Sequence, residues 1–180
     1  MTQYARPVSD KAEDGNWSTT DGGGSPVYYS AIDESSASDS DYITGDASTT
    51  GSAQIDFELT DSLSDPSATT GHKLIFRYNT SGNSSDCTLT VSLMEGSTVR
   101  MTDAVDVSGV TSYTTRTYAP TNTTGSIGNY DNMFLRIHFE DDEEMDSVYI
   151  SQAYVEVPDA SAGTDAVPVS LNTYRQMRER

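Results

Sequence analysis

Residues 52–60 read "SAQIDFELT". Ala53, Ile55, Phe57 and Leu59 alternate with Gln54, Asp56 and Glu58. Apolar groups at every second position line one side of an extended chain, whereas on a helix they would be scattered around the axis. The stretch is therefore a strand with one face in a core and one in water. The same alternation recurs on both sides of it. "HKLIFRY" (72–78) puts Leu74, Phe76 and Tyr78 on one face, and "CTLTVSLMEG" (87–96) puts Cys87, Leu89, Val91 and Leu93 on one face. Gly96 and Ser97 then turn the chain into "TVRMTDAVDV", so 87–107 reads as a β-hairpin. "TSYTTRTYAP" (111–120) and "MFLRIHFE" (133–140) follow, the latter burying Met133, Leu135, Ile137 and Phe139.

In "SVYISQAYVEVP" (147–158) the parity changes. Val148 and Ile150 share one face, while Val155 and Val157 have the opposite phase, and a β-bulge near Gln152 reconciles them. Pro158 ends that strand. "VYYSAID" (27–33) and "DYIT" (41–44) read as two further short strands. About eight strands and no helical pattern predict an all-β fold, an antiparallel, jelly-roll-like β-sandwich. Residues 27–158 are the expected sandwich, 1–26 a loop-like N-terminal arm pinned by Trp17, and 159–180 a C-terminal interaction arm.

The 180 residues carry a formal charge of -18 with only two lysines, Lys11 and Lys73. The excess lies in residues 1–158, and such a polyanionic body disfavours nucleic acid as a partner. No apolar run approaches membrane-spanning length and no secretion-like leader is read, so no membrane partner is expected. The single cysteine, Cys87, alternates in step with the core residues and reads as a buried thiol.

Chemistry-bearing motifs are sparse. "EDDEE" (140–144) could offer oxygens to Ca²⁺, but neighbouring strand residues point to opposite faces and the spacing of a calcium loop is missing, so a solvated hairpin loop is expected. "DESSASDSD" (33–41) reads as a similar polar loop. His72 and His138 have no second His or Cys at metal-ligand spacing. No nucleophile elbow, phosphate loop or dinucleotide fingerprint occurs, so no catalytic residue, cofactor or metal is expected and the chain reads as a non-enzyme.

Two features point to binding. Tyr28, Tyr29, Tyr113, Tyr118, Tyr130, Tyr149 and Tyr154 lie on or beside strands, where they either fill a core short of aliphatics or form an exposed row for stacking on a saccharide. The chain also ends in "SLNTYRQMRER" (170–180). Tyr174, Arg175, Met177, Arg178 and Arg180 are residue types favoured at protein interfaces, and the arginines suit an acidic partner such as a neighbouring copy.

"RPVSD", "YSAIDE", "SDYI", "LSDPSATTGHKLIFRY", "VSLMEGSTV", "SYTTRTYAPT", "YDNMFLRIHF" and "VYISQAYVEVP" cover, in order, most of residues 6–158. Together they resemble β-sandwich structural proteins of tailed bacteriophages. The chain departs from that pattern at Gln152, where a Trp is expected, and in the tail after Pro158. The resemblance implies a virion component without enzymatic activity, a capsid decoration or cement protein on the outer capsid surface. Its implied partners are the major capsid protein and neighbouring copies of itself, with a trimer the favoured homo-oligomer. The alternative is a saccharide- or receptor-binding sandwich on a tail fibre or virion surface.

Overall fold

A computed structural model describes residues 2–20, 27–47, 51–60, 63–66, 68–82, 86–141 and 147–159. Among the described residues eleven strands form two antiparallel sheets, and there is no α-helix. The strands are β1 (Gln3–Ala5), β2 (Pro7–Glu13), β3 (Trp17–Thr19), β4 (Ile43–Asp46), β5 (Ser52–Leu59), β6 (Lys73–Thr80), β7 (Cys87–Glu95), β8 (Thr98–Asp106), β9 (Thr114–Tyr118), β10 (Met133–Asp141) and β11 (Ser147–Val157). One sheet runs β2-β5-β10-β7-β8. The other runs β3-β4-β11-β6-β9, with β1 also on β11. The fold is a jelly-roll-like β-sandwich.

The alternation that opens the sequence reading sets the core. Phe57, Leu135 and Leu93 form one cross-strand row of the five-stranded sheet; Ile55, Ile137 and Val91 form the next, and Ala53, Phe139 and Leu89 the third. All nine side chains are buried. Facing them are Ile43, Ile150 and Tyr78, then Ala153 with Phe76, then Val155 with Leu74. Each large side chain so buried stabilises the fold by about 1.5–3 kcal/mol. The hairpin turns at Gly96, whose φ of 57° lies where only glycine sits without strain.

β11 carries the expected irregularity. Its register against β6 shifts between Ile150 and Gln152, which lets Val148, Ile150, Val155 and Val157 all point inward.

The N-terminal segment corrects the sequence reading. Instead of a loop-like arm, it supplies three strands and belongs to both sheets: β1 pairs with β11, the chain crosses over at Arg6, and β2 pairs with β5. β3 returns to the sheet of β4 and β11, with Trp17 buried opposite Gly45. β2 hides from pattern reading because it is an edge strand whose sequence, "PVSDKAE", leaves most side chains half or fully exposed.

"VYYSAID" is the second correction. It turns through a 3₁₀ helix at Tyr29–Ala31 instead of extending. Both carboxylate oxygens of Asp10 on β2 accept from the backbone here, from Tyr28 N at 2.9 Å and Tyr29 N at 2.8 Å. A local sequence window cannot contain a cap that comes from another strand. The turn sends Ile32 into the core, and its carbonyl accepts from Ala153 N of β11 at 3.2 Å, between the stretches of β11 that β4 and β1 cover.

Candidate ligand-binding face

Strand alternation leaves the outer side of the six-stranded sheet to polar and aromatic groups. Tyr149 on β11 lies opposite Thr44 of β4 and Asn79 of β6. Tyr42, just before β4, packs edge-on against Tyr149, with ring centroids 5.3 Å apart and planes at 83°. From the other flank Tyr113, just before β9, comes within 6.4 Å of Tyr42 at 52°. Edge-to-face contacts of this kind suit the aromatic quadrupole. Tyr42 and Tyr113 thus reach in from segments that flank the two central strands, and Tyr149 rises from one of those strands.

Arg77 of β6 borders the cluster. Its guanidinium lies 5.4 Å from the Tyr113 ring centre, and two of its nitrogens donate to the two oxygens of Asp39, both at 2.7 Å. A third donates to Thr115 Oγ1 at 3.2 Å. The planar fork thus holds Asp39 in the two-bond geometry that lysine could not provide. Those bonds lower the Asp39 pKa and keep it a carboxylate. Burial first, then neighbouring Tyr42 and Asp39, raises the Tyr113 pKa, so its phenol stays protonated and able to donate.

A second aromatic group sits farther along β11. Tyr154 and Tyr4 of β1 approach to 5.9 Å at 63°, and the Arg6 guanidinium lies 4.7 Å from the first ring and 5.6 Å from the second. Tyr4 is 46% exposed. Between the two groups, segment 33–41 crosses the sheet. Arg6 Nη1 and Gln152 Nε2 both donate to the Glu34 carbonyl, at 2.6 and 2.8 Å, and Ser151 Oγ donates to Asp39 at 3.3 Å. The acidic loop of the sequence reading is thus tied down by two arginines and by the bulge of β11.

Glu34 is the unusual acid of this crossing segment. One of its carboxylate oxygens is buried without a hydrogen-bond partner. Burial, and then the neighbouring Asp41 and Asp33, push its pKa up to about 7. A carboxyl group that holds its proton more tightly in the folded chain makes the folded state bind more protons between its ordinary value and about 7. Stability from this group is therefore full at low pH and declines as pH rises through that window. Thermal melting followed from pH 5 to pH 8 is expected to fall for the wild type, and Glu34→Gln is expected to flatten that fall. An unchanged slope in the variant would assign the pH dependence elsewhere.

Of the tyrosines singled out from sequence, Tyr113 and Tyr149 belong to the first group on this face and Tyr154 to the second. Tyr28 and Tyr130 are buried, and Tyr29 and Tyr118 pack half-buried against the core. Tyr4 and Tyr42 complete the two groups and were not singled out, because short strands and strand ends give no alternation to read. Among the described residues the outer side of the other sheet bears one Phe, Tyr or Trp, Phe134. It lies under Lys11 and Arg136 in a shallow depression of ≈ 480 Å³, with Arg136 paired to Asp56 at 2.7 Å.

His72 is buried, with Nε2 2.8 Å from Tyr130 Oη, and burial lowers its pKa, so it serves the core as a neutral ring. Cys87 is buried and in no disulfide. Among the described residues no three His, Cys, Asp or Glu side chains converge to hold a metal ion. In the acidic run, Glu140 is exposed and Asp141 buried, and 142–144 lie outside the described residues. So do the tail residues Tyr174, Arg175, Met177, Arg178 and Arg180.

No family model matches the chain, and no curated protein matches it. Solved structures match at the level of fold. A Stig cyclase, Fisc, from Fischerella sp. TAU, solved with an indole derivative, superposes with a TM-score of 0.52 at 15% identity, covering 88% of this chain and 100% of that one. TmCBM61 in complex with β-1,4-galactotriose gives 0.45 at 8% identity, over 86% of each chain. An arabinose-bound α-L-arabinofuranosidase, MgGH51, gives 0.49 at 14% identity, and the match spans 83% of this chain but 25% of that one. At these identities the likeness is one of fold.

Proposed function

We propose that the protein is a non-catalytic binding module that takes a saccharide chain on the outer face of its six-stranded sheet. The observation that carries this reading is the convergence of Tyr42, Tyr113 and Tyr149 beside the Arg77–Asp39 pair. Sugar rings offer apolar C–H faces and a rim of hydroxyls. Tyrosine rings cover the former, and phenols, a guanidinium and a carboxylate bond the latter. The rings stand at steep angles to one another, an arrangement that grips a single chain better than a flat crystalline surface.

Tyr149→Ala tests the reading. Tyr149 is half-buried, so its loss leaves the core intact, and losing one stacking ring is expected to weaken binding roughly tenfold. Titration calorimetry against a panel of neutral oligosaccharides measures it. No binding to any of them by the wild type, or equal binding by wild type and variant, would remove this reading.

The sequence resemblance supports a second reading, a capsid decoration protein that meets the major capsid protein and neighbouring copies on the outer virion surface. Hundreds of copies per purified particle, in fixed ratio to the shell protein, would support it. A handful would favour a tail-fibre binding module.

A further inference from the structure

Sheet edges expose rows of unpaired N–H and C=O groups, and proteins blunt them with charges, bulges or brevity. Among the described residues five strands have a free edge, β1, β2, β3, β8 and β9, and four of them are blunted. β2 carries Asp10, Lys11 and Glu13 and shifts register twice against β5. β8 carries Arg100, Asp103 and Asp106 and shifts register once against β7. β1 and β3 are each three residues long.

β9 is different. Among the described residues it pairs only with β6, in unbroken register from Thr114 to Tyr118, and Thr114, Thr115, Arg116 and Thr117 are all exposed. Its sequence, "TTRTY", is rich in the β-branched and aromatic types that suit strands. Its one charge, Arg116, is already matched: Nε donates to Asp103 at 2.8 Å and Nη2 to the other oxygen at 3.2 Å.

Charge singles out the same edge. In a chain of formal charge -18, residues 107–130 contain no Asp or Glu, a run of 24 residues that includes all of β9. Residues 66–85, which include β6, contain none either. Two copies of such a polyanion repel each other over most of their surface. Along β9 that repulsion is least.

We propose that β9 is a self-association edge, where a second copy of this chain adds its own β9 antiparallel and joins the two six-stranded sheets into one. A two-fold axis satisfies both edges at once, since each strand offers the groups that the other needs. Five residues a side make about four to six new backbone hydrogen bonds and a small buried area, so the dimer is weak and concentration-dependent. Tyr113 immediately precedes β9, so the union brings the two tyrosine clusters onto one continuous surface and makes it bivalent. The proposal itself does not depend on what that surface binds.

Sedimentation equilibrium of the full chain, from roughly 1 µM to 1 mM at physiological salt, is the test. The wild type is expected to shift from monomer toward dimer over that range. Thr117→Glu and Thr117→Lys, each placing like charges across the two-fold, are expected to weaken dimerisation at least tenfold while the melting temperature and far-UV spectrum stay unchanged. An equimolar mixture of these two variants is expected to recover a heterodimer. A wild type that stays monomeric, association untouched by either variant, or a mixture that fails to recover would each overturn the proposal. So would loss of the dimer on removing residues 159–180, which would give the contact to the tail.

Discussion

Trp17→Ala is expected to lower stability by about 3–5 kcal/mol, the range for emptying a buried aromatic site. Trp17 is 6% exposed although it sits only seventeen residues into the chain, on a strand of three. Its ring lies against the backbone of Gly45: a Cβ built there would fall 2.8 Å from Cη2 and 2.9 Å from Cζ2. Its carbonyl accepts from Tyr28 Oη at 3.0 Å. Because the indole nitrogen has no hydrogen-bond partner, Trp17→Phe is expected to cost much less than Trp17→Ala. Gly45→Ala alone is expected to cost about 1–3 kcal/mol by overpacking. In the Trp17→Ala background the obstruction is gone, and the same change is expected to be near neutral. That non-additivity, read from urea unfolding followed by circular dichroism, is the decisive number. Additive effects would mean that ring and glycine do not meet as described.

The second large effect is expected at Asp10. Its carboxylate accepts from two consecutive backbone N–H groups at the start of the Tyr29–Ala31 turn. Asp10→Ala leaves both donors without their partner and is expected to cost about 2–3 kcal/mol. Asp10→Asn keeps the shape but offers one oxygen, and its amide group then faces a backbone N–H, donor against donor. It is expected to fall between wild type and alanine. If asparagine matched wild type in urea unfolding, one of the two bonds would be dispensable and the turn would have another origin.

These two sites also mark where sequence reading stopped. Where a strand lies in the middle of a sheet, as β5, β7 and β10 do, its inward side chains must be apolar, and alternation exposes both the strand and its buried face. The parity change in β11 was legible for the same reason: both of its halves face the core. Strands held mainly by backbone pairing at an edge leave no such mark, and β1, β2 and β3 went unread. The 3₁₀ turn at Tyr29 went unread because Asp10, nineteen residues earlier, caps it.

The binding face was legible only in part. Strand phase says that Tyr149 points away from the core. It cannot say that Tyr42 and Tyr113, reaching in from opposite flanks, meet above the central strands, because that depends on strand order. The pairing of Arg77 with Asp39, 38 positions apart, was equally out of reach.

The slip in β11 between Ile150 and Gln152 has one more consequence. Tyr149 and Tyr154 are an odd number of positions apart, so in a regular strand they would lie on opposite sides of the sheet. The extra residue changes the reading frame of the strand half-way along, and both tyrosines come to lie on the side away from the core. One strand thus presents two separately phased aromatic stations on a single surface. Its inner side stays filled across the switch, because Val148 and Ile150 supply the core in one frame and Val155 and Val157 in the other.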